Sequence, residues 1–193
     1  MSFELYRRSL TPLVRAIYRL EVRGERNLPP TGRLVVAANH DSMLDPFVLA
    51  AAIPRPMRYL GKAELWRVPL LRHWLDHVEA IPVERGHSDA VAIEAALAAL
   101  EADEVVGIFP EGGVAREGLW LRGAARMAIA AGAPILPVRL LGTRRAFSPG
   151  RVAFPRIAAL IGEPIAVERA SPTVELAREL TDRVQAAVET LAT

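Results

Sequence analysis

Cysteine is absent from the 193 residues. That removes disulfides, thiolate metal sites and thiol nucleophiles together, and it fits a reducing compartment. Lysine is almost as scarce: Lys62 is the sole lysine, and every other basic residue is arginine. Arginine's planar fork pairs bidentately with phosphate or carboxylate, although a codon-composition bias is the plainer source of the skew. The formal charge is only +2, which gives nucleic-acid binding little support. No run approaches the roughly 20 apolar residues that a membrane-spanning helix needs. A charged-then-apolar leader with a small-residue cleavage site is lacking too, so neither secretion nor a span is expected.

What is present is enough apolar surface for a core: 51% of the residues are hydrophobic, and the length fits one domain over residues 1–193. Within residues 1–22, Phe3, Tyr6, Leu10, Leu13, Ile17 and Leu20 recur at helical spacing, with Arg8, Arg15 and Arg19 opposite them. Such a basic amphipathic helix can lie in a lipid interface or pack on the domain core, kinked at Pro12, and the two uses are compatible. Farther on, apolar runs of strand length alternate with helical segments. Strands are expected at 34–38, 57–60, 80–83, 105–109 and 135–140, with one or two more in 151–161. Helices are expected at 47–53, 64–75, 90–100 and 124–131. A closing helix buries Val174, Ala177, Leu180, Val184, Val188 and Leu191. This alternation predicts a single-domain layered α/β fold: a largely parallel sheet flanked by helices.

Two loops carry the strongest chemical signals. Asn39-His40-Asp41-Ser42-Met43-Leu44-Asp45-Pro46 follows a buried strand and opens a helix, where ligands bind in open α/β sheets. Five residues of continuous helix would turn His40 and Asp45 apart. They meet only if His40 stands in the preceding turn and Asp45 in the first helical turn, which Pro46 favours. The carboxylate then accepts from Nδ1 and leaves Nε2 as a base toward a hydroxyl. The plainer role for Asp45 is helix capping, with Ser42 and Asp45 as a capping box. The second loop is Phe109-Pro110-Glu111-Gly112-Gly113, after the strand at 105–109. Paired glycines let backbone approach an anion, and Glu111 can accept from substrate hydroxyls. Its plainer reading is a turn with a solvated glutamate. Arg85, ending the strand that contains Val83-Glu84, points to a phosphate clamp or to a surface ion pair. Pro137 is a rigid corner in Pro134-Ile135-Leu136-Pro137-Val138.

In this order, Asn-His-x4-Asp, Val-x-Arg, Phe-Pro-Glu-Gly and Pro-Ile-Leu-Pro-Val resemble the four motifs of the glycerolipid acyltransferase family. That family includes 1-acylglycerol-3-phosphate and glycerol-3-phosphate acyltransferases. The likeness runs from Val22-Arg23-Gly24 to Ile161-Gly162-Glu163-Pro164. It implies a glycerol-3-phosphate acyltransferase-like fold and an O-acyltransferase that makes phosphatidate from 1-acylglycerol-3-phosphate. The donor implied is acyl-CoA or acyl-carrier protein, and the acceptor is lysophosphatidate-like. His40 would deprotonate the acceptor hydroxyl and Asp45 would orient the imidazole. Arg85, Glu111, Gly112 and Gly113 would surround the glycerol phosphate, and Pro137 would shape the acyl side. The resemblance requires no metal and no cofactor. It places the enzyme in the cytoplasm, peripheral on the inner face of the cell membrane. Two departures stand out: Gly113-Val114 replaces the Thr-Arg that often follows Phe-Pro-Glu-Gly, and Glu79 replaces a glycine before the Val-x-Arg strand.

Other readings fare worse. A binuclear phosphoesterase needs upstream Asp ligands, and no Asp precedes Asp41. Gly86-His87-Ser88-Asp89-Ala90 imitates a hydrolase elbow, but no histidine follows His87 to complete it. His73 and His77 share a helix face without a third zinc ligand. Trp66, Trp74 and Trp120 can serve as interfacial anchors, but packing is their plainer role. Acylation of another acceptor (a lyso-aminolipid, a glycolipid or a lysophospholipid) stays open, whereas the presence of both His40 and Asp45 argues against a noncatalytic lipid-binding role.

Overall fold

The computed structural model describes residues 11–84, 90–114, 120–148 and 151–191. A helix, α1, covers residues 11–17 of these. The strand β1 (Glu21–Arg23) follows, then β2 (Leu34–Ala38), α2 (Asp45–Ala52) and β3 (Met57–Lys62). Next come α3 (Pro69–His77), β4 (Ile81–Val83), α4 (Ala90–Glu101), β5 (Val105–Ile108), α5 (Gly123–Ala131) and β6 (Ile135–Leu141). The chain closes with a hairpin of β7 (Phe147–Ser148) and β8 (Arg151–Val152), then β9 (Ala158–Ile161) and α6 (Val174–Thr190).

Seven strands form one sheet in the order β1-β9-β6-β2-β5-β3-β4. Every pairing is parallel except β6 with β9. The sheet is therefore largely parallel, as the alternation predicts. All five residues of β2 are fully buried, because helices cover both faces. Leu34, Val36 and Ala38 face a core shared with α1 and α2; Val35 and Ala37 face a second core shared with α4, α5 and α6. Each wholly buried Val or Leu contributes roughly 1.5–3 kcal/mol, so a charge placed at Val36 would break the centre of the sheet.

From β2 the chain crosses to β3 on one side; after β5 it crosses back over β2 to β6 on the other. That reversal is a switch point beside β2 and β5, and in such sheets ligands usually bind in a crevice beyond the carboxyl ends of the strands.

Several expected elements differ in detail. The helix expected at 64–75 is broken: Ala63–Arg67 is a 3-10 turn, and α3 starts at Pro69. Proline pushes the preceding Val68 into an extended conformation, which ends the first turn. β1 escapes notice in the sequence because a three-residue edge strand with one apolar residue has no readable alternation. In α6 the buried stripe is Ala177, Leu180, Val184 and Val188, while Val174 in the first turn is exposed. The largest correction concerns α1. Val14 and Tyr18 enter the core, whereas Leu13 (53% exposed) and Ile17 (39% exposed) face outward. The helical part of α1 ends at residue 17, and Leu20 packs on the core from beyond the turn. Phe3, Tyr6 and Leu10 lie outside the described residues.

Candidate active site

His40 leaves the end of β2 before any helix begins, and Asp45 is the first residue of α2 with Pro46 behind it. The turn between them brings the two side chains together: His40 Nδ1 donates to Asp45 Oδ2 at 2.9 Å. The same oxygen accepts from the Ser42 backbone N–H at 2.7 Å. The expected capping box is not formed: α2 is entered through Leu44, which makes no side-chain capping bond, and Ser42 Oγ accepts from Leu44 N rather than from Asp45 N. Asp45 Oδ2 therefore holds the turn that leads into α2 and aligns the imidazole with the same atom. The Asp45 side chain is wholly buried and that of His40 is 13% exposed, so the pair sits in a low-dielectric setting while the imidazole keeps some access to solvent. Asp45 Oδ1 is buried and has no hydrogen-bond partner among the described residues.

The second loop meets the first. Ala37 pairs with Ile108 in register, so the segments leaving β2 and β5 run side by side. Glu111 Oε1 accepts from the His40 backbone N–H at 3.1 Å. Burial pushes the Glu111 carboxyl above its ordinary value, and the nearby Asp41 and Asp45 carboxylates add to this. The His40 amide and imidazole oppose the rise. Gly112 holds a left-handed φ of 69°, and a Cβ there would come within 2.7 Å of Leu121 Cδ1. Gly113, beside it, is buried. The loop closes on itself where Leu121 N donates to Pro110 O at 2.7 Å.

His40, Asp45, Glu111, Gly112 and Gly113 thus come together at one rim. Pro137 does not reach that rim: it lies buried in β6 opposite Ala37, and the Cβ of any residue replacing Gly162 would press on its ring. Arg85 lies outside the described residues, as does the 86–89 segment. Two residues had no role in the sequence reading. Asn39 binds Leu140 through both ends of its amide, with Nδ2 also donating to Asp41 Oδ2 at 2.9 Å. The ring of Phe109 stacks on that of His40. Asparagine at a strand end is the one local signal for the first, since its amide can imitate a peptide group. Nothing local announces the second. Elsewhere, Trp74 packs against Phe47 and Tyr59, and Trp120 is buried in the core. Among the described residues no group of His, Asp or Glu is placed to hold a metal ion.

An imidazole aligned by a buried carboxylate at the rim of an open α/β sheet is what general-base transfer to a hydroxyl requires. The chain belongs to the acyltransferase family, whose sequence model, described as Acyltransferase, matches residues 19–141, and it is an acyltransferase. It is 31% identical over 151 residues to 1-acyl-sn-glycerol-3-phosphate acyltransferase of Bacillus subtilis, covering 76% of this chain and 73% of that protein. It is 35% identical over 147 residues to the mouse 1-acyl-sn-glycerol-3-phosphate acyltransferase alpha, covering 69% of this chain and 52% of that protein. Its fold is similar to the crystal structure of a 1-acyl-sn-glycerophosphate acyltransferase from Thermotoga maritima. That match has a TM-score of 0.71 at 23% identity and covers 97% of this chain and 82% of the other.

Proposed function

We propose that the protein transfers a fatty acyl group from acyl-CoA or acyl-carrier protein to the free hydroxyl of 1-acylglycerol-3-phosphate, giving phosphatidate. The observation that carries this reading is the 2.9 Å contact between His40 Nδ1 and buried Asp45. With Nδ1 engaged, Nε2 takes the hydroxyl proton as the oxygen attacks the thioester carbonyl. Collapse of the tetrahedral adduct breaks the carbon–sulfur bond, and the leaving thiolate recovers the proton from the imidazolium. Asp45 offsets the charge on the ring between these steps. The thioester is already activated, so no covalent acyl-enzyme is needed. Glu111 holds the His40 amide with Oε1 and offers Oε2 to the acceptor's hydroxyl end, beside Gly112 and Gly113. Arg85 is assigned the phosphate on its place in the sequence alone. Pro137 acts at one remove, by fixing the course of β6 beside β2 and so the acyl side of the crevice.

The enzyme is proposed to work on the inner face of the cell membrane, where lysophosphatidate is held. Leu13, Ile17 and Phe154 (66% exposed) are outward apolar side chains that would meet lipid, and the Phe154 ring lies 6.0 Å from that of Tyr18, which follows Ile17 in the chain. No described helix is long and apolar enough to cross a membrane. The test is a screen of acyl-CoA and acyl-carrier protein against lysophosphatidate, lysophospholipids, a lyso-aminolipid and a glycolipid, with His40→Ala alongside. Phosphatidate formation that His40→Ala abolishes supports the reading; transfer only to another acceptor replaces the substrate, and an active His40→Ala removes the base.

A further inference from the structure

The geometry points to Phe109 as a positioning residue for acyl transfer, acting through His40; this rests on the reading of His40 as the base. The two ring centroids are 4.2 Å apart and the planes differ by 21°. The contact is long-range in sequence and follows from the sheet: β2 and β5 are adjacent and in register, so His40 and Phe109 leave the same edge together. Glu111 then ties the His40 amide to the Phe109 loop, which keeps the stack from sliding. Phe109 also packs against the core that holds Val36 and Ala38, so the ring is itself anchored.

A single hydrogen bond at Nδ1 pins one atom of the imidazole and leaves the ring free to tilt about that contact. Tilting carries Nε2 away from the acceptor hydroxyl, and misplacement by about 1 Å can cost on the order of 10²-fold in rate. A flat ring against one face of the imidazole removes the tilt. The face of a benzene ring also carries partial negative charge and attracts a cation lying within about 6 Å of its centroid. Neutral imidazole gains less from this than imidazolium, so the contact strengthens as His40 takes the proton. It favours the transition state over the bound ground state, the kind of interaction that raises kcat. A leucine would fill the same volume without offering such a face.

The experiment compares Phe109→Leu, Phe109→Tyr and His40→Ala in the full chain, with kcat and KM for both substrates and a melting curve for each. Phe109→Leu is expected to lose about 10-fold in kcat with KM values near wild type, from an attraction of this size. Phe109→Tyr keeps the aromatic face and is expected within about threefold of wild type. A mere packing role would tolerate Leu as well as Tyr, so equal kcat for the two overturns the proposal. Should Phe109→Leu fail to fold, Phe109→Met supplies the same comparison. If His40→Ala is inactive while Phe109→Leu turns over like wild type, only the Phe109 role falls. If His40→Ala is active, the base assignment and the Phe109 role fall together.

Discussion

Asn39 pairs with Leu140 as one strand residue pairs with another, but through its side chain. Its Oδ1 accepts from Leu140 N at 2.7 Å, and its Nδ2 donates to Leu140 O at 3.0 Å. The β2–β6 ladder ends with Ala38 opposite Val138, so the Asn39 amide carries the pairing beyond the point where the main chain turns toward His40. That frees the backbone to present the imidazole at the rim.

Asn39→Asp retains the shape but loses the donor to Leu140 O and faces Asp41 with a second carboxylate. Leaving a buried polar group unpaired costs about 1–3 kcal/mol. A lower denaturation midpoint together with a lower kcat is expected. Unchanged values in both measurements would show that the amide pair contributes nothing.

Asp45→Asn separates alignment from folding. The amide fits the same space, but it cannot accept from both His40 Nδ1 and Ser42 N at one oxygen while remaining an anion beside the imidazole. Removing a buried charge also removes a desolvation cost that offsets the lost bonds. We expect kcat to fall by roughly 10²–10⁴-fold. The melting temperature should stay within about 5 °C of wild type.

Glu111→Gln tests the buried carboxyl through pH. The Glu111 carboxyl is raised above its ordinary value of 4.5 by burial, so the folded state binds this proton more tightly than the unfolded chain does. The stabilisation from the protonated form is full below 4.5 and is lost as pH rises through the raised value. Glutamine is neutral throughout and keeps a carbonyl for the His40 amide. Its stability relative to wild type should therefore rise from pH 4 to pH 8 in denaturant titrations. A difference that is flat with pH would remove the burial argument.

The outward apolar side chains are tested with charge. Leu13→Glu, Ile17→Glu and Phe154→Glu alter exposed positions and should leave the melting temperature nearly unchanged. Sedimentation with anionic vesicles should recover less of each variant, and least of the triple variant. Equal recovery would detach these side chains from lipid binding.

Apolar runs along the chain were enough to locate β2, β5 and β6, because a strand covered on both faces must be continuously hydrophobic. Proline at position 46 and the five-residue spacing made a meeting of His40 and Asp45 possible within one turn, and the structure decides that they do meet. Contacts between remote segments were beyond that reach. The bond from Glu111 to the His40 amide spans 71 residues, and the bonds from Asn39 to Leu140 span 101. The Phe109 ring meets His40 across a similar gap. All three depend on which strands lie side by side, and strand order is set by the packing of whole helices and sheet faces. The inward face of α1 was decided the same way. Leu13 and Ile17 are as apolar as Val14 and Tyr18, so only the shape of the core they meet selects the pair that is buried.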